Sequence, residues 1–358
     1  MSATFGKILK TTIFGESHSA AIGVVIDGLP AGMVIDEALV RLGMKRRAPN
    51  TSDASTKRSE PDMYEIVSGF FQGKATGTPL CAIIRNKDTR SQDYEKTAAL
   101  LRPGHADYTG IVKYNGANDY RGGGHFSGRL TAPLVFAGSV ARQLLGAKGV
   151  KVGACIHSIA KVADQKELTA DILDAVEQKE FPVVDDITGD KMREVIAQAR
   201  LEGDSVGGVI ECVIDGIPAG LGEPFFDSVE SRMAHMMFSV PAIKGIEFGA
   251  GFGIARMNGS EANDVPVMRN KKMTFKSNHN GGINGGISNG MPIVFRVVVK
   301  PTASIFKTQE TVNIKTMENE TLQIHGRHDT CIALRAVEVV KCAAALVMAD
   351  LLLEARND

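Results

Sequence analysis

Apolar residues recur at three- and four-residue spacing over residues 36–45, 131–145, 168–177 and 190–201, which predicts four helices with one buried face. The last of these shows the pattern most clearly. Over residues 331–355 the same spacing continues with Arg335, Glu338, Lys341 and Asp350 interrupting it, so a long C-terminal helix is expected to pack on the body of the protein. Runs rich in β-branched residues over 22–26, 207–214 and 292–299 read as strands. Strands alternating with helices, and no Pro/Gly/Ser linker, predict a mixed α/β or α+β chain forming one domain over residues 1–358.

One phrase occurs twice. Ile26-Asp27-Gly28-Leu29-Pro30-Ala31-Gly32 returns about half a chain later as Ile214-Asp215-Gly216-Ile217-Pro218-Ala219-Gly220, each time after an apolar run and before a polar turn. The pattern reads as strand then tight turn. We therefore expect two related halves sharing one core.

Composition narrows the partners. The 41 basic and 41 acidic residues cancel, so no net field draws the chain to nucleic acid or to an anionic membrane. A small molecule is the expected partner. Five cysteines, Cys81, Cys155, Cys212, Cys331 and Cys342, lie far apart with no CxxC pair, which argues against a disulfide framework or a zinc site and for a reducing, cytoplasmic location. No metal is expected. The first ten residues lack the continuous apolar stretch of a signal peptide, and no run reaches the roughly 18 to 20 apolar residues of a membrane span.

The 38 glycines are clustered, at residues 122–124, 249–253 and 281–286, which suggests loops shaped around a ligand. Gly15-Glu16-Ser17-His18 sets a hydroxyl, a carboxylate and an imidazole ahead of a strand, but it is not a G-x-S-x-G elbow. Arg102-Pro103-Gly104-His105-Ala106-Asp107 and Arg327-His328-Asp329 add two compact charged clusters, and between them arginines bracket Gly122-Gly123-Gly124-His125-Phe126-Ser127-Gly128 ahead of a predicted helix. Free backbone N–H groups and guanidinium forks of this kind suit phosphate. A single such cluster is more often a solvated loop; several together point to an anionic ligand. No G-x-x-x-x-G-K-[ST] occurs, and Ser127 stands where a dinucleotide fingerprint needs glycine, so a P-loop kinase and a Rossmann dehydrogenase are disfavoured. Asn278 to Gly286 and Lys300-Pro301-Thr302-Ala303-Ser304 can supply further donors. The residues by themselves reach an enzyme or a binder of a phosphorylated small molecule.

The same segments resemble the signatures of the chorismate synthase family along nearly the whole chain: Gly15-Glu16-Ser17-His18 through Pro30, Gly124-His125-Phe126-Ser127-Gly128-Arg129-Leu130-Thr131, and Arg327-His328-Asp329. The resemblance implies a β-α-β sandwich with an internal pseudo-twofold repeat, assembled as a homotetramer. It implies a lyase of the shikimate pathway that removes phosphate from 5-enolpyruvylshikimate 3-phosphate by 1,4-anti elimination, using reduced FMN without net redox change, with NADPH only as a reductant of the flavin.

By the same resemblance, His18 protonates the leaving phosphate and His105 stabilises the reduced ring, while Asp329 with Ser17 and Ser127 assists deprotonation at the flavin. FMN is expected against His125, Phe126, Ser127, Ala242, Gly285, Lys300, Pro301, Thr302, Ala303, Ser304 and Arg327. Arg46, Arg47, Arg129 and Arg327 are the expected holders of substrate anions, where bidentate guanidinium geometry is useful. The chain departs from the family pattern at Ala48 and Asp53, at His125-Phe126 where many members carry Arg-Ser, and at Thr330, Glu338 and Lys341. Two other readings are a flavin-dependent NAD(P)H oxidoreductase and a non-catalytic flavin or phosphometabolite binder.

Overall fold

Two alternating patterns of apolar residues build two antiparallel five-stranded sheets in a computed structural model that describes residues 3–48, 62–86, 99–324 and 328–355. In the first sheet β1 (Thr4–Phe5), β2 (Lys10–Gly15), β3 (Ala21–Asp27), β4 (Tyr64–Ser68) and β5 (Leu80–Arg85) lie in the order β1-β2-β3-β5-β4. In the second, β6 (Lys151–Ile159), β7 (Val162–Ala163), β8 (Gly208–Asp215), β9 (Ile243–Phe248) and β10 (Ile293–Val299) lie in the order β9-β10-β8-β6-β7. Ile22, Val24 and Ile26 of one sheet, and Ile210, Cys212 and Ile214 of the other, alternate inward and are buried.

Between the sheets runs a helical layer of α1 (Glu37–Arg47), α3 (Thr131–Gly146), α5 (Val229–Ser239) and α6 (Ala333–Glu354); α2 (Asp107–Lys113) and α4 (Asp186–Leu201) lie outside it. The architecture is the β-α-β sandwich anticipated above. Asp36 caps α1 by accepting from Ala38 N at 2.8 Å, which starts the helix one residue later than its apolar spacing predicts. Small residues let the helices touch: a Cβ on Gly138 would sit 2.3 Å from the Cβ of Cys342.

The C-terminal helix forms where expected and packs on the body, but more deeply than its charges suggest. Every residue from Val337 to Leu353 is buried, because a helix held between two sheets has no solvent face. Its charged interruptions are therefore internal partners. Asp350 accepts from the backbone N–H groups of Lys7, Ile8 and Leu9 at 2.7–2.9 Å and pairs with Arg232 from α5. Lys341 pairs with Glu338 and Glu177. The predicted helix over 168–177 also shrinks, to Leu173–Glu177, and Leu168 N donates to the buried Glu211 carboxylate at 3.0 Å.

The repeated phrase closes equivalent corners. Lys10 faces Asp27 across β2 and β3, and Lys151 faces Asp215 across β6 and β8. Gly28 and Gly216 follow with φ of 91° and 82°; a Cβ there would strike the carbonyls of Ile8 and Gly149. The succession β2-β3-α1-β4-β5-α3 matches β6-β8-α5-β9-β10-α6, and β2-β3-β5-β4 occupy their sheet in the same order as β6-β8-β10-β9. All five cysteines are free thiols. Among the described residues no helix is long and apolar enough to cross a membrane.

Candidate active site

The turn after β2 seats Ser17 and His18 beneath the run Gly122-Gly123-Gly124. Ser17 N donates to Gly124 O at 3.1 Å, and His125 Nδ1 lies 2.8 Å from Gly15 O. All three glycines take positive φ, 59°, 86° and 55°, a path that only glycine follows without strain. Close approach matters as much. A Cβ on Gly122 would stand 2.3 Å from His18 Cε1 and 2.7 Å from Ser17 Oγ, so the missing side chain makes room for both functional groups. His18 is only 9% exposed, and Ser17 Oγ is buried with no hydrogen-bond partner among the described residues.

Beside this turn lies a buried ion triad. Arg47 from the last turn of α1 and Arg129 from the turn before α3 grip opposite oxygens of Asp62. Arg47 is further fixed by Thr131 Oγ1 and Gly128 O, both at 3.1 Å, and Arg129 Nε donates to Asn86 Oδ1 at 3.2 Å. Burial pushes the Asp62 carboxyl up, but the two guanidiniums outweigh it and hold the group below the usual carboxylate range.

Arg46 does not join this triad. Adjacent helical residues point about 100° apart, and Arg46 turns to Glu177, which also receives Arg142 and Lys341. Burial raises the Glu177 carboxyl, yet Lys341 and Arg142 pull it down to about 2. Asp329 accepts from Arg335 Nη1 at 2.7 Å, and Arg335 Nε donates to the carbonyl of Arg47 at 3.0 Å, tying the carboxylate to the triad.

A second cluster continues from His328. His105 Nε2 lies 2.8 Å from Ser304 Oγ, Lys300 Nζ donates to Gly104 O at 2.6 Å, and Ala303 touches the place where a Gly104 side chain would be. Arg102 forks onto Asp107 at 2.7 and 2.9 Å. Burial, then Arg102 and, more weakly, Lys300, lower the His105 pKa to about 4, which makes it a neutral imidazole at pH 7. Burial and Arg102 likewise lower His328. The Nε2 of His328 and the Oγ1 of Thr302 are buried without hydrogen-bond partners among the described residues. Ala242, at φ 74°, accepts from Lys300 N at 2.9 Å and so borders the same strip.

The remaining expected residues divide. Ser127 receives Arg129 N at 3.3 Å, and Phe126 packs on Gly110 and Tyr114 of the α2 region. Gly285 belongs to a hairpin beside the loop before α5, and among the described residues no hydrogen bond joins it to either cluster. Arg327 and Asp53 lie outside the described residues.

The order of these parts along the chain matches the sequence model of the chorismate synthase family over residues 9–353. The chain belongs to the chorismate synthase family. It is 46% identical to the chorismate synthase of Dehalococcoides mccartyi across 99% of this chain and 98% of that protein, and 46% identical to that of Methanosarcina mazei across 97% and 94%. A crystal structure of chorismate synthase superposes with a TM-score of 0.76 at 28% identity, covering 98% of this chain and 93% of that one. Family membership does not by itself point to Asp62, Asn86 or Arg335, which the sequence reading missed as site residues. Asp62 and Asn86 are single polar residues at strand ends with no local motif, and Arg335 reads only as an interruption of a helix. Their one signal is a polar residue placed where the chain is otherwise apolar or turning.

Proposed function

We propose that this member of the chorismate synthase family is a lyase that eliminates phosphate from 5-enolpyruvylshikimate 3-phosphate to yield chorismate, at the end of the shikimate pathway that feeds aromatic amino acids. The observation that carries the reading is the convergence of two imidazoles, a buried arginine pair and a carboxylate on two adjoining clusters, with buried polar atoms left over. Arg129 and Arg47 hold substrate anions, and Arg46 is left to its Glu177 cluster. His18 gives its proton to the departing phosphate oxygen, and Gly122 keeps the ring seated over that point. Asp329, oriented by Arg335, accepts the proton set free from carbon, with Ser17 and Ser127 beside the path.

The strip around His105 fits a flavin: Lys300 is cationic, Thr302 Oγ1 and His328 Nε2 are unsatisfied, and Gly104 permits close approach. Residues 300–304, with Ala242, His125, Phe126 and Ser127, would hold FMN, which when bound and reduced supplies the electron-transfer chemistry for breaking a C–H bond that is not acidic. The neutral His105 keeps a hydrogen bond to Ser304 and can donate to an electron-rich ring. NADPH enters this scheme only as a reductant of the flavin.

The chain is read as one domain of two related halves, in agreement with its repeated β-β-α-β-β-α succession. A cytoplasmic homotetramer is proposed. Phe225, Phe226 and Phe252, each more than 80% exposed, are apolar surface of the kind that subunit contacts cover. The test is anaerobic turnover of 5-enolpyruvylshikimate 3-phosphate with chemically reduced FMN, following chorismate and phosphate together. Equimolar release without net flavin oxidation is the expected result; FMN binding with no product would refute the lyase and leave a flavin oxidoreductase or binder.

A further inference from the structure

Asn86 follows β5 at the point where the first sheet meets both the Ser17–His18 turn and the arginine triad. Its side-chain amide is used at both ends. Nδ2 donates to Glu16 O at 3.0 Å and to Ser19 O at 2.8 Å, the two carbonyls that bracket Ser17 and His18, while Oδ1 accepts from Arg129 Nε at 3.2 Å. Its own N–H donates to Ala20 O at 3.3 Å, and the preceding residue pairs with Ala21 in the sheet. The amide is thus anchored to the sheet and bridges two elements that come from residues 16–19 and 129.

We propose that Asn86 is a positioning residue that fixes the Arg129 guanidinium relative to His18, and so sets where a bound phosphate meets the group that protonates it. The inference rests on the functional reading above. Its physical basis is that an amide is the one short side chain able to accept from a cation at one end and donate two hydrogen bonds to carbonyls at the other. Aspartate has no donors, alanine has neither end, and glutamine is a methylene too long. The opposite side of Arg129 is fixed independently through Asp62 to Arg47, which is bolted to Gly128 O and Thr131 Oγ1. Removing Asn86 therefore leaves Arg129 partnered and buried but severs its tie to the His18 turn.

The test combines turnover with inorganic phosphate binding by calorimetry, the latter needing neither flavin nor substrate. Asn86→Ala is expected to lower kcat by roughly 10- to 100-fold, the scale of a misplacement of about an ångström. In a cycle with His18→Ala, the double variant should be no slower than His18→Ala alone, because a residue acting through His18 has nothing left to act on. Additive losses would mark a merely structural effect and overturn the proposal, as would a kcat within twofold of wild type. Asn86→Ala should also weaken phosphate binding in the wild-type background but not in Arg129→Ala. Equal weakening in both backgrounds refutes it. If wild type itself does not turn over, the functional reading fails, and the phosphate measurement still decides the role of Asn86. Should Asn86→Ala not fold, Asn86→Asp keeps the acceptor for Arg129 but loses both donors to the turn. It should lower kcat, and full activity in that variant would refute the coupling.

Discussion

Replacing Gly122 by alanine tests whether the glycine run exists to seat His18. The substitution acts in two ways that can be separated. Gly122 has φ 59°, where an L residue costs about 1–2 kcal/mol. The new Cβ would also lie 2.3 Å from His18 Cε1 and 2.4 Å from its Nδ1, against an ordinary carbon contact of about 3.5–4.0 Å. The ring or the glycine loop must then retreat by more than about 1 Å, and a shift of that size in a reacting group costs on the order of 100-fold in rate. Gly123 is the control: its φ is 86°, but its Cβ would meet only Ser127 Cβ at 3.9 Å. Both variants should lose stability in urea unfolding, Gly122→Ala by about 1–3 kcal/mol more through overpacking, while only Gly122→Ala loses about two orders of magnitude in kcat under anaerobic turnover with reduced FMN. Equal activities in the two variants would refute the argument that contact with His18, not backbone conformation, is what Gly122 provides.

Three further outcomes follow from the packing and charge. Asp62→Asn removes the carboxylate that both buried guanidiniums grip and should cost about 3–5 kcal/mol by denaturant unfolding; a loss under 1 kcal/mol would mean that the Asp62 charge does not hold the cluster together. Gly138→Ala forces α3 off α6 and should destabilise by about 1–3 kcal/mol through overpacking, read from the urea midpoint at unchanged slope. His105 is lowered in the folded protein from 6.5 to about 4, so the unfolded chain binds the proton first and stability should fall as pH drops from 6.5 toward 4. Glu177, lowered from 4.5 to about 2, adds its own loss between those values. His105→Asn should flatten the upper part of that decline in unfolding measured between pH 7 and 4, and an unchanged slope would place the titration elsewhere.

Periodicity was enough to locate most elements of this fold. The helices from residue 131 and to residue 201, and the strands ending at Asp27, Asp215 and Val299, lie within a few residues of where apolar spacing puts them, because each buries one face and a buried face leaves a local signature. The doubled phrase was legible for the same reason, since a strand, a turn and a glycine with positive φ are all short-range requirements. So were the histidines and the glycine run, which announce themselves by residue type. Pairing across distance was not legible. Nothing in the sequence around Arg46 and Arg47 says that the first turns to Glu177 and the second to Asp62, and nothing near Asp350 says that it takes the backbone N–H groups of Lys7, Ile8 and Leu9. Nor did the spacing over 331–355 reveal a helix enclosed on all sides, since its charges look like a solvent face until their partners arrive from other elements. Local sequence determines which segments can bury a face or accept a strained turn; only the closed sandwich decides which charges meet inside it, because those contacts form when residues hundreds of positions apart are excluded from water together.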